Sequence, residues 1–294
     1  MVVRLTALLG ISLIFAGCTS CIEFDKQTMV FRHYPKTDTL VIWQQYEGIH
    51  GEGEGDELSD EEIEQLESVL QGQRTFFFAN WIFEYDGKAV KQYIQDLKEE
   101  LKEGAADKDP AQLRSLIASL KLLQKSIDIY NVSFYLNKQG QLSATQQVTL
   151  RNVSKHIKAA NAFLRSLIVI GELDADDEFT QFLLDRSVEN ELEYITFEGQ
   201  RLRVQWPMSA KHFKQLAVDE DVIKKFTQTG GTVKHANGFL WVEIGKVQSA
   251  DTTVSMRLSD AEFKNNAAEH VAKRFGIDRK FDPAKARAAF FRES

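Results

Sequence analysis

The chain has 294 residues, enough for one large domain or two small ones. Hydrophobic residues make up 43% and charged residues 27%, with 17 glycines and 4 prolines, which excludes collagen-like, mucin-like and disordered classes. Two cysteines, Cys18 and Cys21, are too few for a disulfide scaffold or a cysteine-based structural zinc site, and a formal net charge of −7 has the wrong sign for nucleic-acid binding.

Met1-Val2-Val3-Arg4 supplies a basic start, and Leu5 to Ala16 is nearly all apolar. About a dozen apolar residues are too few to span a bilayer, which takes roughly 20. A charged start, a short apolar core and a small-residue end have the form of a secretory signal. The end of that segment, Phe15-Ala16-Gly17-Cys18, resembles the lipobox of bacterial lipoproteins, with Phe15 where leucine is commonest. The resemblance covers residues 1–18 and implies a location, not an activity. It implies that residues 1–17 are removed and that Cys18 carries the lipid. Residues 18–294 would then be held on the periplasmic side of the cell envelope. Thr19 stands where an Asp would be the retention signal, which implies the outer membrane. Cys21 would be the only free thiol left; a second acyl chain, pairing with another chain and inertness are all open to it.

Ile22 to Tyr34 reads as a strand, Pro35 to Asp38 as a turn and Thr39 to Tyr46 as a second strand. Ser59 and Glu62 make a capping box, so a helix should run from Asp60 to about Leu70. Arg74 to Tyr85 is aromatic-dense and reads as a strand buried on both sides. Asp86 starts a helix whose stripe is Val90, Ile94, Leu97 and Leu101. Gly104 to Lys108 is the best linker, and residues 104–109 are where the mature region would divide into two lobes. Asp109-Pro110 starts the next helix, with Leu113, Leu116, Ile117, Leu120 and Leu123 on one side.

Ile127 to Leu136 and Gln141 to Leu150 form a hairpin around Gln139-Gly140. Ser154 is read as the cap of a helix ending near Gly171, and a further helix is expected from Asp176 to about Leu192. Hairpins follow at Glu193 to Trp206 and at Thr232 to Val247, the latter turning at Asn237-Gly238. Short helices are expected over Ala210–Leu216 and Glu220–Thr227, and longer ones from Asp260 to Phe275 and from Asp282-Pro283 onward. Hairpins interleaved with amphipathic helices, without a regular βαβ succession, give an α+β class with antiparallel pairing.

Between Lys36 and Arg74 there are eleven acids and no base. Within this run, His50-Gly51-Glu52-Gly53-Glu54-Gly55-Asp56 lies between a strand and a helix, where a nucleotide loop would sit. The fingerprint G-x-G-x-x-G fails at Asp56, and carboxylates would repel phosphates, so no nucleotide is expected. Glu52, Glu54 and Asp56 are weak candidates for a cation, but the calcium-loop pattern fails at Glu57 and Ile63, and no metal is expected. Asp174 to Glu178 is explained by the helix start that follows it. The histidines His33, His50, His156, His212, His235 and His270 make no H-x-x-x-H pair, and no G-x-S-x-G elbow exists.

These residues assign no catalytic group and no cofactor. The expectation is a membrane-anchored lipoprotein with a binding, scaffolding or envelope-assembly role and a protein partner in the envelope. A periplasmic hydrolase with a site invisible in sequence is one alternative. A cation or small-ligand sensor using the acidic loop 50–64 is the other. Ile22 lies only four positions after Cys18, so the domain should sit close to the membrane, with its acidic loop pointing away from anionic headgroups.

Overall fold

A computed structural model of the chain describes residues 22–51, 58–75, 85–104, 110–169, 193–208, 210, 213–214, 227, 231–257, 268–277 and 280–293. Its class is α+β, with two antiparallel sheets. β1 (Glu23–Tyr34) and β2 (Thr39–His50) form the first hairpin; β3 (Ile127–Leu136) and β4 (Leu142–Arg151) form the second. With β9 (Thr252–Arg257) they make a five-stranded sheet in the order β3-β4-β2-β1-β9. β5 (Ile195–Glu198), β6 (Arg201–Pro207), β7 (Gly231–Ala236) and β8 (Phe239–Ile244) make a four-stranded sheet ordered β5-β6-β8-β7. Its β7–β8 turn is Asn237-Gly238, both at positive φ (54° and 76°), as a two-residue hairpin turn demands.

Local signals place the described helices. α1 (Asp60–Leu70) has the full capping box: the Ser59 hydroxyl accepts from Glu62 N–H, and the Glu62 carboxylate accepts from Ser59 N–H. α2 (Gly87–Glu103) is capped by Asp86, which accepts from Lys88 and Ala89 N–H, and ends on Gly104 at φ 67°. α3 (Pro110–Ser126) follows, then α4 (Val153–Val169) and α5 (Ala268–Phe275). α6 (Pro283–Glu293) is capped by Asp282, which accepts from Ala284 and Lys285 N–H.

The start of α4 differs from the expectation. Ser154 is inside the helix, and the capping carboxylate comes from the β1–β2 turn. Asp38 accepts from Ser154 N–H (2.8 Å) and Ser154 Oγ–H (2.7 Å). A carboxylate brought in from 116 positions away answers the helix N-terminus better than a local hydroxyl, because its charge also meets the dipole.

The large sheet is covered on both faces. One face presents the cross-strand rows Phe31–Ile42–Val148 and His33–Leu40–Leu150. α2 and α3 lie on the Phe31 row through Val90, Ile94, Leu97, Leu113, Ile117, Leu120 and Leu123. The helices on either side of 104–109 thus share one core; residues 105–109 themselves lie outside the described residues. Near the start of β1 a second cluster joins Ile22, Phe24, Tyr46, Ile49, Phe134 and Leu142 to α1 (Ile63, Leu66, Val69) and α5 (Val271, Phe275). In a regular strand Tyr46 and Ile49 would point to opposite faces. Gly48 lies between them at φ +70°, breaks the alternation, and lets both enter the same cluster. The other face carries Val30, Val41 and Trp43 under Phe290 of α6. Arg32 pins that helix: it donates to Phe291 O (2.9 Å) and lies 4.7 Å from the Phe291 ring.

A side-chain amide joins the two sheets. Past Phe31↔Thr252 the β1–β9 pairing ends, and Gln200 from the β5–β6 turn takes the next place. His33 N–H donates to Gln200 Oε1 and Gln200 Nε2 donates to His33 O, both 2.7 Å. The Thr252 hydroxyl donates to Gln200 O (2.6 Å), and His33 Nδ1 lies 3.2 Å from Gly199 O. The backbones approach so closely that a Cβ on Gly245, at φ +84°, would lie 2.4 Å from Gln200 O. Gln200→Ala should therefore orphan the buried backbone N–H and C=O of His33. We expect a loss of about 2–4 kcal/mol in urea unfolding, with the m-value unchanged.

Candidate functional site

Cys18, expected to carry the anchor, and Cys21, the second thiol, lie outside the described residues. Description begins at Ile22, which is 5% exposed and packed in the cluster with Phe24 and α1. Glu52, Glu54 and Asp56 also lie outside it, but the residues flanking them do not. β2 runs four residues beyond Tyr46 and pairs His50 with Glu23. The acidic stretch therefore leaves the sheet beside the start of β1.

A correction concerns Arg74 to Tyr85. Residues 76–84 lie outside the described residues, whereas both ends are described. Arg74 is the bridge partner of Asp86, Thr75 N–H donates to Tyr85 O (2.8 Å), and Tyr85 N–H donates to Thr75 Oγ1 (2.7 Å). A continuous strand would hold Arg74 and Tyr85 roughly 35 Å apart. Paired ends exclude it.

Among the described residues, no three His, Cys, Asp or Glu side chains stand together as a metal site. His33 and His50 are buried with Nδ1 against the carbonyls of Gly199 and Gly48, and His235 Nε2 meets Met208 O at 2.7 Å. Burial lowers the pKa of His156 against the opposing pull of Arg151 O and Asp38. Asp174 to Glu178, His212 and the side chain of His270 lie outside what is described. A cleft of about 270 Å³ lies beside the start of α2, lined in part by Gln73, Tyr85, Lys88, Lys91 and Ile129. It is small for a ligand pocket, and the helix N–H groups nearest it are already taken by Asp86.

Among the described residues, the strongest constellation of charge and aromatic surface lies on the four-stranded sheet. Leu202, Phe197 and Ile244 face the core, so the alternate residues of the same strands face outward. Register then brings Arg203 opposite Glu243, and Gln205, Trp241 and Lys234 into one row. Arg203 Nε–H donates to Glu243 Oε1 at 2.7 Å, Lys234 Nζ lies 3.7 Å from Glu243 Oε2, and Arg201 Nη1 lies 3.8 Å from Glu243 Oε1. Arg201 also pairs with Glu198. The Arg203 guanidinium lies 5.2 Å and the Lys234 ammonium 5.7 Å from the centre of the Trp241 ring. Three cations thus share two carboxylates around one half-buried indole. Burial alone would raise the Glu243 pKa; the Arg203 hydrogen bond and the fields of Lys234, Arg203 and Arg201 outweigh it and hold the carboxyl below its usual value. Such a strip can take a ligand that offers carboxylate or phosphate oxygens to the arginines and a flat or apolar face to the indole.

No family model, curated protein or solved structure matches the chain.

The strip went unseen in the sequence, although its signal is there. Arg201, Arg203 and Gln205 alternate with Leu202, Val204 and Trp206, and Trp241 and Glu243 alternate with Leu240, Val242 and Ile244. Only the hairpin register says which charges meet.

Because Glu243 has a lowered pKa in the folded state, its contribution to stability is present above the ordinary value of 4.5 and is lost as pH falls through the folded value. The difference in Tm between the unmodified protein and Glu243→Gln should be largest at neutral pH and should shrink below pH 4.5. A difference independent of pH would contradict this assignment.

Proposed function

We propose that this protein is a lipid-anchored component of the bacterial cell envelope, held by Cys18 on the periplasmic side of the membrane. Its role is to bind or assemble a partner at the membrane surface. The observation that carries this reading is the start of the fold. The lipobox-like segment ends at Cys18, Ile22 is buried, and β1 begins at Glu23. Four residues of extended chain reach roughly 14 Å. A domain built that close to its anchor is held against the lipid surface, where a long polar tether would let it roam. β1 is paired along both edges, to β2 and β9, which supports the same reading: residues 23–30 are strand and add nothing to the tether. The Arg203–Trp241 strip is the surface to which the partner would bind.

No described helix is long and apolar enough to cross a membrane. Sorting to the outer membrane, through Thr19, is part of the proposal. Several acyl chains on Cys18 hold a protein stably, where one alone would be marginal.

Cell fractionation with palmitate labelling tests the anchor. The unmodified protein should be labelled and sediment with membranes. Cys18→Ala should lose the label, and hydrogen exchange on the anchored protein should show slow exchange from Glu23 to Val30. A soluble, unlabelled product from the unmodified sequence would end this reading. A photoreactive group placed at Lys234 should capture a partner in membranes, and the yield should fall at least tenfold with Arg203→Glu.

A further inference from the structure

The middle of the large sheet is polar where it should be apolar. On the face covered by α2 and α3, the row Met29–Gln44–Gln146 lies between the Phe31–Ile42–Val148 row and the Gln27–Tyr46–Ala144 row. The first neighbour belongs to the cluster under α2 and α3; Tyr46 and Ala144 of the second belong to the cluster under α1 and α5. Gln44 and Gln146 are both 0% exposed. Gln27 is satisfied, donating to the Tyr46 hydroxyl at 2.9 Å. Gln146 Nε2 donates to Arg74 O at 3.0 Å, which fixes that amide and turns Oε1 away from Arg74. That leaves Gln146 Oε1, Gln44 Oε1 and Gln44 Nε2 with no hydrogen-bond partner among the described residues.

Gln44 and Gln146 are directly opposite each other across β2 and β4, so their Cβ atoms are about 5 Å apart on one face. Two such amides can bond directly, and these do not. What remains is one donor atom, Gln44 Nε2 with its two N–H groups, and two acceptor atoms. A water molecule answers most of that set: it accepts from one N–H of Gln44 Nε2 and donates to the two Oε1 atoms, making the three bonds typical of an internal water. Leaving all three groups dry would cost the desolvation of each, whereas a bridging water costs little.

We infer that Gln44 and Gln146 form an internal hydration site, holding a long-lived water between the two apolar clusters of the sheet. It is separate from the exposed strip and does not depend on the anchor.

Water-proton magnetic relaxation dispersion on the full-length chain counts molecules held longer than the tumbling time. The unmodified protein should show at least one more than Gln44→Met/Gln146→Met, in which both amides are replaced by apolar side chains of similar volume. Gln44→Met alone should lower the urea midpoint, because it deprives the water of two of its three partners and leaves Gln146 Oε1 poorly satisfied. Equal water counts, or a Gln44→Met variant with a raised midpoint, would show the site dry and overturn the inference. Should the variants not fold, the unmodified protein decides: a nuclear Overhauser cross-peak between water and the Gln44 side-chain amide supports the site, and its absence refutes it.

Discussion

The side chain of Gln200 does the work of a strand residue. Its amide presents a carbonyl and an N–H to the backbone of His33 in the manner of a neighbouring peptide group, at the point where the β1–β9 ladder has run out. Asn161 of α4 gives the four-stranded sheet a second tie, exchanging two buried hydrogen bonds with the Ile195 backbone. Phe197 packs edge-on against Phe31 and lies against the His33 ring; Leu202 and Ile244 extend the core under α2 and α3. The constraint runs both ways. Gly245 must be glycine because Gln200 O and the Thr252 side chain fill the space a Cβ would need, so the close approach that permits the clamp also fixes the residues around it. A joint made of hydrogen bonds between buried groups is directional. It fixes the β5–β6 turn at one place on the backbone of β1.

The clusters of the large sheet divide the labour of stability. One is built from α2 and α3 on the Phe31 row; the other from α1 and α5 on Tyr46 and Phe134. Phe134 and Phe275 stack at 4.8 Å, and Arg274 reaches Glu67 at 2.6 Å, so α5 binds its neighbours by both an aromatic face and an ion pair. That exposed pair adds little to stability by itself. Its use is local neutralisation of the acids on α1. Between the clusters, buried glutamines replace apolar side chains. Polar residues in a sheet interior penalise slippage, because a one-residue shift would move each amide to the opposite face.

How much of this is legible in the residues depends on the range of the interaction. Ser59 with Glu62, Asp86 ahead of α2, Asp282 ahead of α6 and Asn237-Gly238 all act within four positions, and each marks its element correctly. Misreadings occur where a distant group intervenes. Ser154 has the composition of a cap, but Asp38 supplies the cap. β2 continues to His50, four residues past the Tyr46 at which the second strand is expected to end. Glu47 is held by Lys26 across the hairpin, and Gly48 serves as a kink that keeps Ile49 in the core. Arg74 to Tyr85 has the apolar density of a strand, yet its ends pair with each other. The candidate strip needs the register of β6, β7 and β8 together, and Gln200 has no local signature at all. A glutamine in a turn looks like any other until the strand it meets is known.

The same register governs what a membrane would meet under the proposed anchoring. Glu23 is opposite His50, so the point where the chain would leave its lipid tether and the point where the acidic stretch begins are adjacent on the sheet. The stretch returns at Leu58 to the cluster that holds Ile22. Anionic headgroups would repel these acids over a Debye length of about 8 Å at physiological salt. Near this end Lys26 is paired with Glu47 and Arg274 with Glu67. The tether reaches roughly 14 Å, which holds this end of the domain within about two screening lengths of the headgroups. Lipid attachment and acidic charge then act in opposition at the same end of the fold. Under that anchoring the first would fix how far the domain can go, and the second would keep this end from lying flush against the headgroups.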